Sequence, residues 1–125
     1  MKKLLVILVC LFVSFEVKSK LFTTQELLNL YEKPVNKGVV EWYVTGVYQS
    51  LFHLNNMNLV NEDGKLCVPE NIGRSLTVDT LLSMTKNRIS KDNQNKQKLL
   101  NYPFPLTLIL VLSDNFPCDD NWKTR

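Results

Sequence analysis

Lys2 and Lys3 precede an apolar run from Leu4 to Phe15, followed by Val17, Lys18 and Ser19. A basic start, a short apolar stretch, and modest side chains three residues and one residue before a cut are the parts of a secretory signal peptide. The run falls well short of the roughly 20 apolar residues that a spanning helix needs. We therefore read residues 1–19 as a leader cut after Ser19, with an uncleaved anchor as the alternative, and residues 20–125 as the domain that must fold. Val9 stands where a lipidated Cys10 would require a small residue, which argues against a lipid anchor.

Removing the leader changes the cysteine arithmetic. Of three cysteines, Cys10 leaves with it, and Cys67 and Cys118 remain. An even pair in an exported protein predicts one disulfide. By chain entropy, closing so long a loop stabilises the fold by about 4 kcal/mol. The alternative is two buried thiols. The same cut removes Lys2, Lys3, Lys18 and Glu16, so the whole-chain charge of +3 falls toward neutrality. That balance gives no reason to expect a nucleic-acid or anionic-surface partner. With 45% apolar residues and only 4 Gly and 5 Pro among 125 residues, collagen-like and low-complexity readings fail, and one globular domain is expected.

The pattern after Lys20 is helical. Thr23 and Glu26 have capping-box spacing, which predicts a helix over 24–32 with Leu27, Leu28 and Tyr31 on its apolar stripe and Pro34 ending it. Val39, Val40, Tyr43, Val47, Leu51 and Leu54 recur at three- and four-residue steps, predicting the longest helix over 36–55. Gly46 inside it costs roughly 1 kcal/mol relative to Ala, so we assign it, with Tyr43, to helix packing. Glu62, Asp63 and Gly64 signal a turn, which permits a short hairpin near residues 57–68 or a structured loop. Ser75 or Thr77 caps a third helix whose face is Val78, Leu81, Leu82, Thr85 and Ile89. Lys91 to Lys98 is polar and reads as a loop or an exposed turn. Leu106 to Leu112 is apolar nearly throughout, and Pro105 favours helix over strand there. The fold class is thus an all-α bundle of four or more short helices in which one bridge ties the loop before the third helix to the end of the last.

Catalytic and metal-binding patterns are weak. His53 is the only histidine, so no His-metal cluster forms, and no cofactor is expected. Disulfide-bonded sulfurs provide no thiolate nucleophile. No nucleophile elbow or phosphate loop occurs, and the carboxylates are scattered, leaving only a two-acid glycosidase as an enzymatic alternative. We do not expect an enzyme. Lys86, Arg88, Lys91, Lys96 and Lys98 form the one basic cluster, read as a solubilising face because no aromatics interleave with it. Trp42 and Tyr43 fit either the core or an interface anchor.

Three segments, Tyr43-Val44-Thr45-Gly46-Val47, Leu66-Cys67-Val68-Pro69 and Phe116-Pro117-Cys118, taken in order over Thr23 to Cys118, resemble the Tai-type immunity proteins of type VI secretion amidase effectors. The resemblance implies a small helical periplasmic protein, often a homodimer, with its two cysteines bridged. It also implies a partner, a peptidoglycan amidase of the papain-like Cys-His class, whose substrate cleft the protein blocks. The contact donors expected on such a scaffold are the segments 55–64 and 87–98, with Asn58, Glu62, Asp63, Lys91 and Lys96 as partner-binding residues. A small periplasmic chaperone or stress protein with a disulfide-linked helical fold is the alternative.

Overall fold

In the computed structural model, which describes residues 21–56 and 66–124, the chain enters its first helix as the capping box predicts. The Glu26 amide donates to the Thr23 hydroxyl at 3.2 Å and the Thr23 amide donates back to the Glu26 carboxylate at 3.1 Å. Helix α1 runs Thr24–Tyr31, and Pro34 opens a single 3₁₀ turn, Pro34–Asn36, before the long helix α2, Lys37–Asn56. A short turn of helix, α3, covers Glu70–Gly73; α4 covers Val78–Lys91, α5 Lys96–Asn101 and α6 Phe104–Asn115, and a 3₁₀ turn spans Trp122–Thr124. Among the described residues the fold is all-helical, with one isolated backbone bridge between Thr23 and Pro103 and no strand.

The core follows the predicted stripes on α1 and α4 but not on α2, where Val44 and Tyr48 join Val40 inside while the predicted Val39 and Leu54 stay exposed. Leu27 and Leu28 of α1, Val40, Val44 and Tyr48 of α2, Leu81, Leu82 and Ile89 of α4, Leu99 of α5, and Phe104, Leu108 and Leu112 of α6 are buried together. Helix α6 contributes most to this centre through Phe104, Thr107, Leu108, Val111 and Leu112, while Leu106 and Leu110 on its other side stay exposed. Two threonines supply the core's buried polar contact. The Thr24 and Thr107 hydroxyls meet at 2.7 Å, Thr107 donates to the Leu99 carbonyl at 3.3 Å, and the Thr24 amide donates to the Tyr102 carbonyl at 2.9 Å. α1, α5 and α6 are thereby joined at one point, where both threonine hydroxyls are partnered, as burial demands.

Cys67 and Cys118 are bridged, with Cα atoms 5.1 Å apart across 51 positions of sequence. The bridge joins the segment before α3 to the residues just after α6, the connection expected from the cysteine count. Leu66, Cys67 and Val68 are buried, whereas Cys118 is exposed. Asn55 sets where the chain re-enters the core: its side-chain amide donates to the Leu66 carbonyl and its amide oxygen accepts from the Leu66 amide, both at 2.8 Å.

Two further expectations change. The polar stretch from Lys91 to Lys98 is not one loop, because α4 continues through Lys91 and α5 begins at Lys96, leaving only a turn in which the Asn95 amide donates to Asp92 at 3.1 Å. Residues 66–68 form no strand, while the rest of the predicted hairpin, the leader, and Asn58, Glu62 and Asp63 lie outside the described residues. Among the described residues no helix is long and apolar enough to cross a membrane.

Candidate docking face

Helix α2 has one buried stripe, Val40, Val44 and Tyr48, four residues apart, which fixes what faces outward. Tyr43 lies at the edge of the core: its ring meets Phe22 edge-on at 5.1 Å and tilts against Phe104 at 6.3 Å. Burial raises its phenol above the ordinary range, and among the described residues its buried hydroxyl has no hydrogen-bond partner. Tyr43 is thus a packing residue, as expected. Its neighbour Trp42 is 84% exposed, with Val39 at 63% and Val35, in the preceding 3₁₀ turn, at 88%.

Gly46 continues this outward stripe and overturns its expected role. Among the described residues no neighbour outside the helix's own backbone lies within 4 Å of where its Cβ would stand, so none of their backbones packs there. The apolar rhythm alone could not reveal this, since a glycine kept for an internal contact and one on an open face occupy the same period. The result is a bulky indole one helical turn from a gap. A concavity of about 500 Å³ is lined by Glu41, Trp42, Thr45, Gly46 and Gln49. A second, of about 440 Å³, lies between Trp42, Gly46, Val47 and Ser50 on α2 and Pro105 on α6. The Ser50 hydroxyl donates to the Gly46 carbonyl at 2.7 Å, so the opening leaves that backbone group satisfied.

Chemically this face is suited to contact. Among the described residues Glu41 is the one charged side chain lining either concavity, and an exposed tryptophan beside valines is the kind of patch that marks association surfaces in soluble proteins. Tryptophan is also the residue type most enriched among the few that dominate binding energy. Lys91 and Lys96 are exposed on either side of the Asp92–Asn95 turn, well separated in the chain from α2. His53 is exposed on α2, edge-on to Phe52 at 6.3 Å. Among the described residues no three His, Cys, Asp or Glu side chains cluster as a metal site would require.

The fold and this face define a small disulfide-tied helical domain with an open apolar contact surface. Compared with family models, with curated proteins and with solved structures, the chain finds no match.

Proposed function

We propose that this chain is a periplasmic immunity protein of the Tai type, which binds a papain-like peptidoglycan amidase through the outer face of α2 and occludes its substrate cleft. The observation that carries this reading is Trp42, 84% exposed beside the open position at Gly46. An exposed indole and a mid-helix glycine each work against the stability of an isolated chain, the first by holding apolar surface in water and the second by entropy. Both are accounted for if a partner surface covers them. The motif resemblance supports the same reading. Its glycine lies on this face, its cysteines form the bridge, and its Leu66-Cys67-Val68-Pro69 segment is buried beneath that bridge.

In this reading the catalytic cysteine belongs to the partner, and inhibition is steric. The inhibitor has to compete with a substrate that surrounds the enzyme, which calls for a nanomolar or tighter constant, about −12 kcal/mol. A homodimer belongs to the same proposal, with its contact elsewhere on the molecule. The test is titration of the mature protein into a papain-like peptidoglycan amidase sought among the neighbouring genes, following both heat and peptidoglycan hydrolysis. We expect one saturable complex and loss of hydrolysis, with Trp42→Ala weakening binding by at least about 2 kcal/mol, or some thirtyfold. If Trp42→Ala instead turns a dimer into a monomer and leaves inhibition intact, the α2 face joins two copies. If no complex forms and unrelated unfolded proteins are kept soluble, the chaperone reading replaces this one.

A further inference from the structure

A third concavity adjoins the Trp42 face at Thr45 and Gln49 and lies between α2 and the segment leading into α4. Its volume is about 580 Å³, within the range of small-molecule sites. Tyr48, Phe52, Leu76, Val78 and Leu81 supply the apolar floor. The walls are fixed by specific contacts. The Tyr48 hydroxyl donates to the Gly73 carbonyl at 2.6 Å, with burial pushing that phenol up to about 12. Phe52 stacks on Tyr48 at 6.1 Å, and a Cβ at Gly73 would come within 2.6 Å of the Phe52 ring. Thr77 caps α4 by accepting from the Thr80 amide at 3.2 Å. The cleft is therefore formed before anything enters it.

Its charge is one-sided. Among the described residues the lining carries Arg74, His53 and the Tyr48 phenol as its ionisable side chains and no carboxylate. The first turn of α4 opens onto the same rim at Thr77 and Val78, and its Asp79, which offsets the partial positive charge of the amides there, is not among the lining residues. Arg74 pairs with Glu70 outside the cleft in an exposed contact, and the guanidinium keeps further N–H donors for a second acceptor. Polar groups are otherwise few: Thr45, Gln49 and Thr77. An extended peptide laid here would bring main-chain amides against helix walls whose own backbone groups are already bonded, at a desolvation cost with little return. A hydrocarbon tail carries no such groups.

We propose that this cleft binds a small monocarboxylate with an apolar tail, its tail against Phe52, Leu76 and Leu81 and its carboxylate at Arg74 on the rim. The cleft shares Thr45 and Gln49 with one concavity of the Trp42 face but has its own apolar floor, and the inference does not rest on the immunity reading. The test uses decanoate, decanol and decyltrimethylammonium below their micellar concentrations, with backbone amide shifts of the intact mature protein as the readout. Decanoate should saturate one site, with the largest shifts at Phe52, Gly73, Leu76 and Leu81, and should bind about tenfold more tightly than either other probe. Arg74→Gln, at an exposed position, should remove that preference while leaving the tail contacts. Gln49→Trp, which fills the mouth, should weaken all three probes. Equal binding of the three probes, shifts centred on Trp42, or an unchanged preference in Arg74→Gln would overturn the proposal.

Discussion

Two glycines separate what a sequence period reveals from what it conceals. Gly46 lies in the middle of α2 with nothing near its missing side chain, so Gly46→Ala should raise stability by up to about 1 kcal/mol through helix propensity alone. Gly73 lies under the Phe52 ring, and Gly73→Ala should lower stability by about 1 to 3 kcal/mol, because the ring must leave its stack on Tyr48. Urea denaturation of both variants checks the opposite signs. Only the first glycine was conspicuous in the sequence, and there the period suggested a packing role that the open face contradicts. Trp42 shows the same limit. Val39 and Val40, like Trp42 and Tyr43, are adjacent apolar pairs, so the period marks a helix without saying which member of each pair faces inward. That choice is made by Phe22, just before α1, and by Phe104 of α6, which take Tyr43 and leave Trp42 in water.

The helices themselves were largely legible, because caps and stripes are local. The capping box at Thr23, the cap at Thr77 and the stop at Pro34 all stand where residue chemistry puts them. Helix α5 was hidden because its first turn, from Lys96, is polar and its anchor Leu99 comes only three residues later. What holds the elements to one another was less legible, and it carries the stability predictions. Reduction, or Cys67→Ser, should cost roughly 2 to 5 kcal/mol, and thiol counting on denatured, unreduced protein should find no free thiol in the mature chain. Two polar contacts also hold α4. Tyr31 donates to Asp79, a bond that, with lesser help from burial and from nearby carboxylate charge, raises the phenol to about 12. A raised folded value stabilises below the ordinary pKa near 10 and is lost as pH climbs toward 12, so Tyr31→Phe should flatten the alkaline arm of a stability profile. Arg88 reaches Asp114 on α6 and Asp92 at 3.1 Å, and its hydrogen bond is the main cause holding Asp92 below the usual carboxylate range. That contribution is present above about pH 4 and fades as pH falls through the lowered value, so Arg88→Ala should show less loss on acidification than the parent protein.

Taken whole, the molecule divides into a tied helical body and an apolar face that the body leaves open. The body was readable from capping, period and cysteine count; the face was not, because exposure depends on which helices happen to cover α2. The account's central claim is that this face binds an amidase, and Gly46→Ala and Trp42→Ala separate binding from folding. Gly46→Ala should be at least as stable as the parent, yet its added methyl enters the gap beside Trp42, where a partner would have to fit. The decisive measurement is titration calorimetry of that papain-like amidase with the parent and these two variants. The account predicts a one-site nanomolar complex for the parent, with both variants at least tenfold weaker and neither less stable by more than about 0.5 kcal/mol, the usual limit for surface changes. Undiminished binding by Trp42→Ala and Gly46→Ala, or no heat with the parent, would contradict it.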